Sequence, residues 1–251
     1  MPSSALTYKI HAMPDGSISS LPRNSSASAW IRWALPSTSD IIFVVLLGSL
    51  CLSGLATKML GDAGIGWHIR TGQQILSTHH IPRVDPYSSI MSGKPWIAWE
   101  WLYDVIVGAL DSAVGLNGVV WLNALLIAAT FALTFQSMIA RGTKLFAALV
   151  LILLAISASM IHVLARPHVV TWLFVVIWFS ILDGSEQESR EAKTAARSRR
   201  LWLLTAIMVI WVNLHGAFLL GLLTTLSFAL PAANACETYL RLRFSAPQAP
   251  S

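Results

Sequence analysis

Charge is scarce in this sequence, and that scarcity excludes most soluble folds. Asp, Glu, Lys and Arg together make up 12% of its 251 residues, about half the share of an ordinary soluble domain. Cysteine is scarcer still: Cys51 lies within an apolar block and Cys236 beyond the last one, which provides neither a disulfide nor a metal framework. No glycine-rich phosphate loop follows a strand pattern, so no soluble nucleotide-binding fold is indicated. Ionisable residues are nearly missing from the long apolar runs, which counts against a solute pathway through them. A net charge of +5 would suggest nucleic acid in a soluble protein. Here the basic residues are spread over short connecting segments, so they are read as topology and no nucleic-acid partner is expected.

What is present is hydrocarbon. Hydrophobic residues fill 55% of the positions, in blocks that approach the roughly 20 residues needed to cross a bilayer as a helix. Backbone groups in lipid must be paired within the segment, so the expected fold class is an all-α polytopic membrane protein. About six transmembrane helices are expected, at Ile41–Leu60 and over 118–139, 145–163, 168–182, 201–214 and 216–235. Residues 1–38, rich in Ser and Pro, are expected as a disordered cytoplasmic tail ahead of an uncleaved first span, with 39–235 as the membrane domain and 236–251 as a second cytoplasmic tail. The charge run over 183–200 is expected as a flexible cytoplasmic connector. With the N terminus inside, 12 of the 17 basic residues are cytoplasmic and only Lys58, Arg70, Arg83, Lys94 and Arg166 are outside. That is the direction of the positive-inside bias.

The segment 61–117 is too polar to cross and is expected as a large periplasmic loop with two interfacial helices. Ile65–Ser77 sets Ile65, Ile69, Gly72 and Leu76 near one helical face, as an amphipathic surface helix requires. In Trp96–Val114 the carboxylates Glu100, Asp104 and Asp111 fall on one narrow stripe. A wet outer face accounts for Asp104 and Asp111. Glu100 differs, because Trp96, Trp99 and Trp101 surround it and offer faces for stacking a sugar ring or anchoring in the interface. Crossing as a span would bury these carboxylates at roughly 2.5–3.5 kcal/mol each, so an interfacial placement is preferred.

The same outer layer receives Arg166–His168 and the Asn213–Gly216 break, together with six of the seven histidines. Arg166, next to Pro167, is suited to snorkel to headgroups or to hold a lipid-linked phosphate. His68 and His215 are candidates to orient a leaving group.

At these residues the sequence resembles a bacterial family. The pattern GDAGIGWHIRTGQQIL, IPRVDPYS, GKPWIAWEWL, LARPHVVTWL and WVNLHGAFLLG is similar to the N-terminal half of integral membrane glycosyltransferases of the C-type superfamily. That superfamily includes the protein mannosyltransferases and the dodecaprenyl-phosphate galacturonate transferases. The resemblance covers about residues 40–235. It implies an acidic residue just after the first span, matched by Asp62, that activates the acceptor or helps hold a divalent metal such as Mg or Mn. Two departures stand out: Gly64 replaces the second acid of a common Asp-Pro-Asp pattern, and Trp99 stands where many relatives have His before the retained Glu100. Asp62 and Glu100 are thus the expected catalytic residues. His68, Arg70, Asp85, Trp96, Trp99, Arg166, His168, Asn213 and His215 are the expected substrate-binding ones. A plainer role for Asp62, capping the surface helix, stays open.

The function the resemblance implies is transfer of a sugar from a polyprenyl-phosphate-linked donor to a glycan, lipid or protein acceptor at the periplasmic face of the bacterial inner membrane. The alternative is a non-catalytic scaffold or binding protein in cell-envelope biogenesis. Relatives continue for several more spans, so a fragment, or a shortened member that binds without turnover, is a further expectation.

Overall fold

The computed structural model describes residues 36–190 and 194–230, and all its extended elements are helices. The expected tails lie outside the described residues, except for positions 36–38. In chain order the helices are α1 (Thr38–Leu52), α2 (Leu55–Met59), α3 (Gly64–Thr78), α4 (Trp101–Val114), α5 (Leu116–Ala140), α6 (Leu145–Ser159), α7 (His168–Arg190) and α8 (Thr194–Leu214). A last helix, α9 (Gly216–Leu230), opens with a 3₁₀ turn.

Three stretches, Leu116–Ala140, Leu145–His162 and His168–Glu188, are long and apolar enough to cross a membrane. Only 11% of the apolar window of Leu145–His162 is buried inside the protein, and Phe146, Leu153 and Leu154 stand exposed around it. A helix apolar on every side and so little covered has hydrocarbon as its natural solvent.

Helix α5 is the axis, with α1, α4, α6 and α7 packed on it. One apolar cluster joins α1, α5, α6 and the start of α7 around Phe131, Phe135 and Ile152. A second joins α3, α4, α5, α7 and α8 through Ile69, Tyr103, Val107 and Leu214. Trp178 and Trp211 centre a third between α7, α8 and α9. Helices α4 and α5 are separated by Gly115 alone, at φ +70, a backbone setting that suits a residue without Cβ.

Three expectations are corrected. The first apolar block is broken: α1 ends at an extended Ser53, whose hydroxyl bonds back to the Ser49 carbonyl, and α2 restarts after Gly54. A Ser-Gly pair is a common cause of such kinks. Within the charge run 183–200, the described residues are helical and not a loose connector: α7 continues to Arg190 and α8 begins at Thr194. Among the described residues, Asp183 pairs with Arg141 at 2.6 Å and Glu188 with Arg200 at 2.9 Å. The second loop helix starts at Trp101, since Trp96–Glu100 is held irregular by the Val84–Pro95 bridge and the Trp96 amide donating to the Arg83 carbonyl at 2.9 Å.

Helix α3 keeps nearly the expected bounds, but its buried face, with Ile65, Ile69, Thr71, Gly72 and Ile75, packs on α4, while Leu76 is exposed. Asp104 and Asp111, the acids of the stripe that lie on α4, therefore face α3. Asp104 is 3% exposed, and Asp111 accepts from the Gln73 amide at 3.0 Å.

Candidate functional site

Four segments meet in a cleft of about 530 Å³. Helix α3 contributes Trp67 and His68, and the irregular 96–100 segment contributes Trp96, Trp99 and Glu100. Arg166 enters from the turn before α7, and His215 from the α8–α9 junction. Three of the contributing segments lie at helix ends, while Trp67 and His68 belong to the body of α3. Glu100 is at the N-cap position of α4. The turn before α7 is pinned by the Ala165 amide donating to the Met59 carbonyl at 2.8 Å, which satisfies one of the orphan carbonyls at the end of α2.

Glu100 lies between two imidazoles. Its Oε2 is 3.9 Å from His68 Nε2, and its Oε1 is 3.5 Å from His215 Nε2. Behind His68, Nδ1 meets the buried Asp104 carboxylate at 2.6 Å. Behind His215, Nδ1 meets the Thr171 hydroxyl at 2.8 Å, and that hydroxyl also accepts from the Trp211 indole at 2.9 Å. Burial pushes the Glu100 carboxyl above its ordinary range, with His68 opposing and Asp104 adding to the rise. Burial likewise raises Asp104 against its bond to His68. His215 is lowered, by burial first and then by His168 and His68, which keeps its imidazole neutral. Tyr103, edge-on to His68 at 5.5 Å, has its phenol raised by burial and donates to Asn123 Oδ1 at 3.1 Å.

Asp62 does not line this cleft. Its carboxylate takes the Arg166 guanidinium on one oxygen and the Gly64 amide on the other at 3.2 Å. Capping and ion pairing thus coexist at Asp62. Gly64 matters through what it leaves open: a Cβ there would lie 2.7 Å from an Arg166 guanidinium nitrogen.

The remaining candidates have other placements. Arg70 is exposed and, among the described residues, reaches Gln73. Asp85 ties its own turn, accepting from the Tyr87 and Ser88 amides and the Ser88 hydroxyl, bonds that hold its carboxyl below the usual range. His168 bonds the His162 carbonyl and stacks edge-on with Trp172. Asn213 accepts from the Trp101 indole at 2.9 Å, fastening the start of α4 to the end of α8. Losing that bond in Trp101→Phe should cost about 0.5–1.5 kcal/mol. Thermal unfolding in detergent checks this, and Asn213→Ala added to Trp101→Phe should cost less than the two separate losses combined.

A divalent metal does not fit the residues present. Among the described residues no group of three or more His, Cys, Asp or Glu is placed to hold an ion. Mg and Mn prefer clustered oxygen ligands, whereas Asp62 already faces a guanidinium and the Glu100 oxygens oppose imidazoles. The residues that sequence reasoning missed are Asp104 as a partner of His68, and Thr171 and Trp211 behind His215. Thr171 and Trp211 sit within apolar helices, where only their hydrogen-bonding groups distinguish them. Compared with family models, with curated proteins and with solved structures, the chain finds no match.

Proposed function

We propose that this chain is a membrane glycosyltransferase of the inner membrane, moving a sugar from a polyprenyl-phosphate-linked donor to an envelope hydroxyl at the non-cytoplasmic face. One observation carries the reading: Glu100, raised by burial, stands between two imidazoles in a tryptophan-walled cleft that also contains Arg166. A carrier lipid stays in the bilayer, so its phosphate must be met at the ends of apolar helices. Arg166 stands at such an end, two residues before α7.

The chemistry is a single displacement. The acceptor oxygen bonds to the sugar's C1 as the C1–O bond to phosphate breaks, inverting C1. The hydroxyl proton passes to Glu100, and the polyprenyl phosphate leaves with its charge held by Arg166, which Asp62 keeps oriented. Trp96, Trp99 and Trp67 offer ring faces to the sugar. The acceptor is a glycan, lipid or protein hydroxyl. A scaffold without turnover is favoured by a different observation, that Asp62, Asp104 and Asn213 all have protein partners.

Binding tests the donor half of the proposal. The full chain in detergent should retain undecaprenyl phosphate over undecaprenol in native mass spectrometry, and Arg166→Gln should lose that preference by about tenfold or more, the scale of a charged hydrogen bond. Equal retention of the two lipids by the unaltered chain would remove the phosphate from the account.

Orientation is tested separately. The stretch from Arg166 to Asp183, nearly all of it within α7, rises about 25 Å, so the Arg166 side chain and the Asp183–Arg141 pair reach opposite faces of a roughly 30 Å hydrocarbon core with the long arginine stems extending outward. With Cys51 and Cys236 replaced, a cysteine at exposed Ser92 should react with an impermeant thiol reagent in intact cells and one at exposed Ser198 should not. The opposite pattern would invert the topology.

A further inference from the structure

The two histidines beside Glu100 are held from behind by partners of opposite kind. Asp104 can only accept when ionised, so it requires a hydrogen on His68 Nδ1, and in a neutral ring this leaves the His68 Nε2 lone pair turned towards Glu100 Oε2. On the other side the Thr171 hydroxyl already accepts from the Trp211 indole and is 4% exposed. Its own hydrogen has His215 Nδ1 as its acceptor at 2.8 Å. That leaves the hydrogen of neutral His215 on Nε2, aimed at Glu100 Oε1. Glu100 is thus offered a donor at one oxygen and an acceptor at the other.

Resting on the glycosyl-transfer reading, we propose that the Asp104–His68 dyad is the proton exit of the site. Glu100 Oε2 takes the hydroxyl proton and hands it to His68 Nε2, and Asp104 and Thr171 act as positioning residues that set the two tautomers. In the first step the acceptor O–H breaks and the proton joins Oε2 as the C1–O bond forms. In the second, Oε2–H breaks and the proton joins His68 Nε2, giving an imidazolium whose charge Asp104 balances. In the third, the imidazolium returns the proton to water in the cleft. The dyad has a reason to exist: a carboxyl whose pKa is raised by burial holds the proton it captures, and a second base restores it for the next turnover. The 3.9 Å between Oε2 and Nε2 requires a closing movement of about 1 Å to reach hydrogen-bond length.

The groups facing His68 are Glu100, Asp104, the Tyr103 ring edge and, across the cleft, Arg166 and His215. Among the described residues only Asp104 touches Nδ1, so His68 has one tautomer to report. In the full chain with nitrogen-15 histidine, the signal that disappears in His68→Gln should show a protonated Nδ1 and a bare Nε2 at neutral pH. Asp104→Asn, whose amide oxygen also accepts, should keep that tautomer. A bare Nδ1 in the unaltered chain would overturn the proposal.

Activity gives the second arm, with a polyprenyl-phosphate-linked radiolabelled hexose as probe. His68→Ala should lower kcat by about tenfold or more with the donor KM within about twofold, and added imidazole should restore part of the rate. Asp104→Asn should lower kcat and shift the acid limb of its pH profile to lower pH. A folded His68→Ala with unchanged kcat, or one that imidazole fails to rescue, removes the dyad alone if Glu100→Gln is inactive. An active Glu100→Gln removes the transfer reading itself.

Discussion

Gly72→Ala should separate α3 from α4 and take most of the proposed sugar transfer with it. A Cβ at Gly72 would stand 1.8 Å from the Asp104 carbonyl oxygen and 2.4 Å from its carbon. Those are backbone atoms of a packed helix, and no rotamer change moves them aside. From the other side, a Cβ at Gly108 would stand 2.7 Å from the Gln73 amide nitrogen. The two helices cross backbone to backbone, glycine against glycine, and this brings His68, one turn before Gly72, against Asp104.

Overpacking of this kind costs about 1–3 kcal/mol and sometimes more. A 1 Å displacement of catalytic groups can cost about 100-fold in rate. Thermal stability in detergent and transfer rate should therefore fall together. Gly66, on the same helix, provides the control, since nothing lies within 4 Å of a Cβ there. Gly66→Ala should be neutral or stabilise by up to about 1 kcal/mol, the helix propensity difference. If Gly72→Ala matched it, the close crossing would be wrong.

How far the fold was legible depended on whether a signal was local. Helix α3 was bounded within one residue at each end because its apolar spacing starts after Gly61-Asp62 and stops before His79-His80. The central apolar helix α5 was equally plain, since its length and composition admit little else. Periodicity showed that Glu100, Asp104 and Asp111 share a face, but it could not show what that face meets. A stripe of acids fits water, and it fits a neighbour carrying His68 and Gln73 equally well.

The run 183–200 looked like a solvated connector because its charges suggest water. The partner of Asp183, Arg141 at the C-cap of α5, and the Glu188–Arg200 pair across α7 and α8 are long-range facts. The break in the first apolar block had a local cue in Ser53-Gly54 that a count of apolar residues passes over. At the site, His68, Glu100, Arg166 and His215 were identified from the motifs and do line one cleft. The resemblance led to the expectation of a catalytic acid at Asp62, yet its carboxylate is engaged by Arg166.

Transfer by reconstituted protein tests the central claim most directly. The full chain in liposomes would be given a radiolabelled sugar on polyprenyl phosphate, the same sugar on a nucleotide, and a membrane-envelope extract as acceptor. The unaltered chain should transfer label from the lipid-linked donor only. Glu100→Gln keeps the shape and hydrogen-bonding capacity of the side chain but cannot carry a proton. It should express and fold as the unaltered chain does and lose transfer by about 100-fold or more, the contribution of a positioned general base. Transfer at an undiminished rate by Glu100→Gln, or label taken equally from the nucleotide donor, would contradict the account.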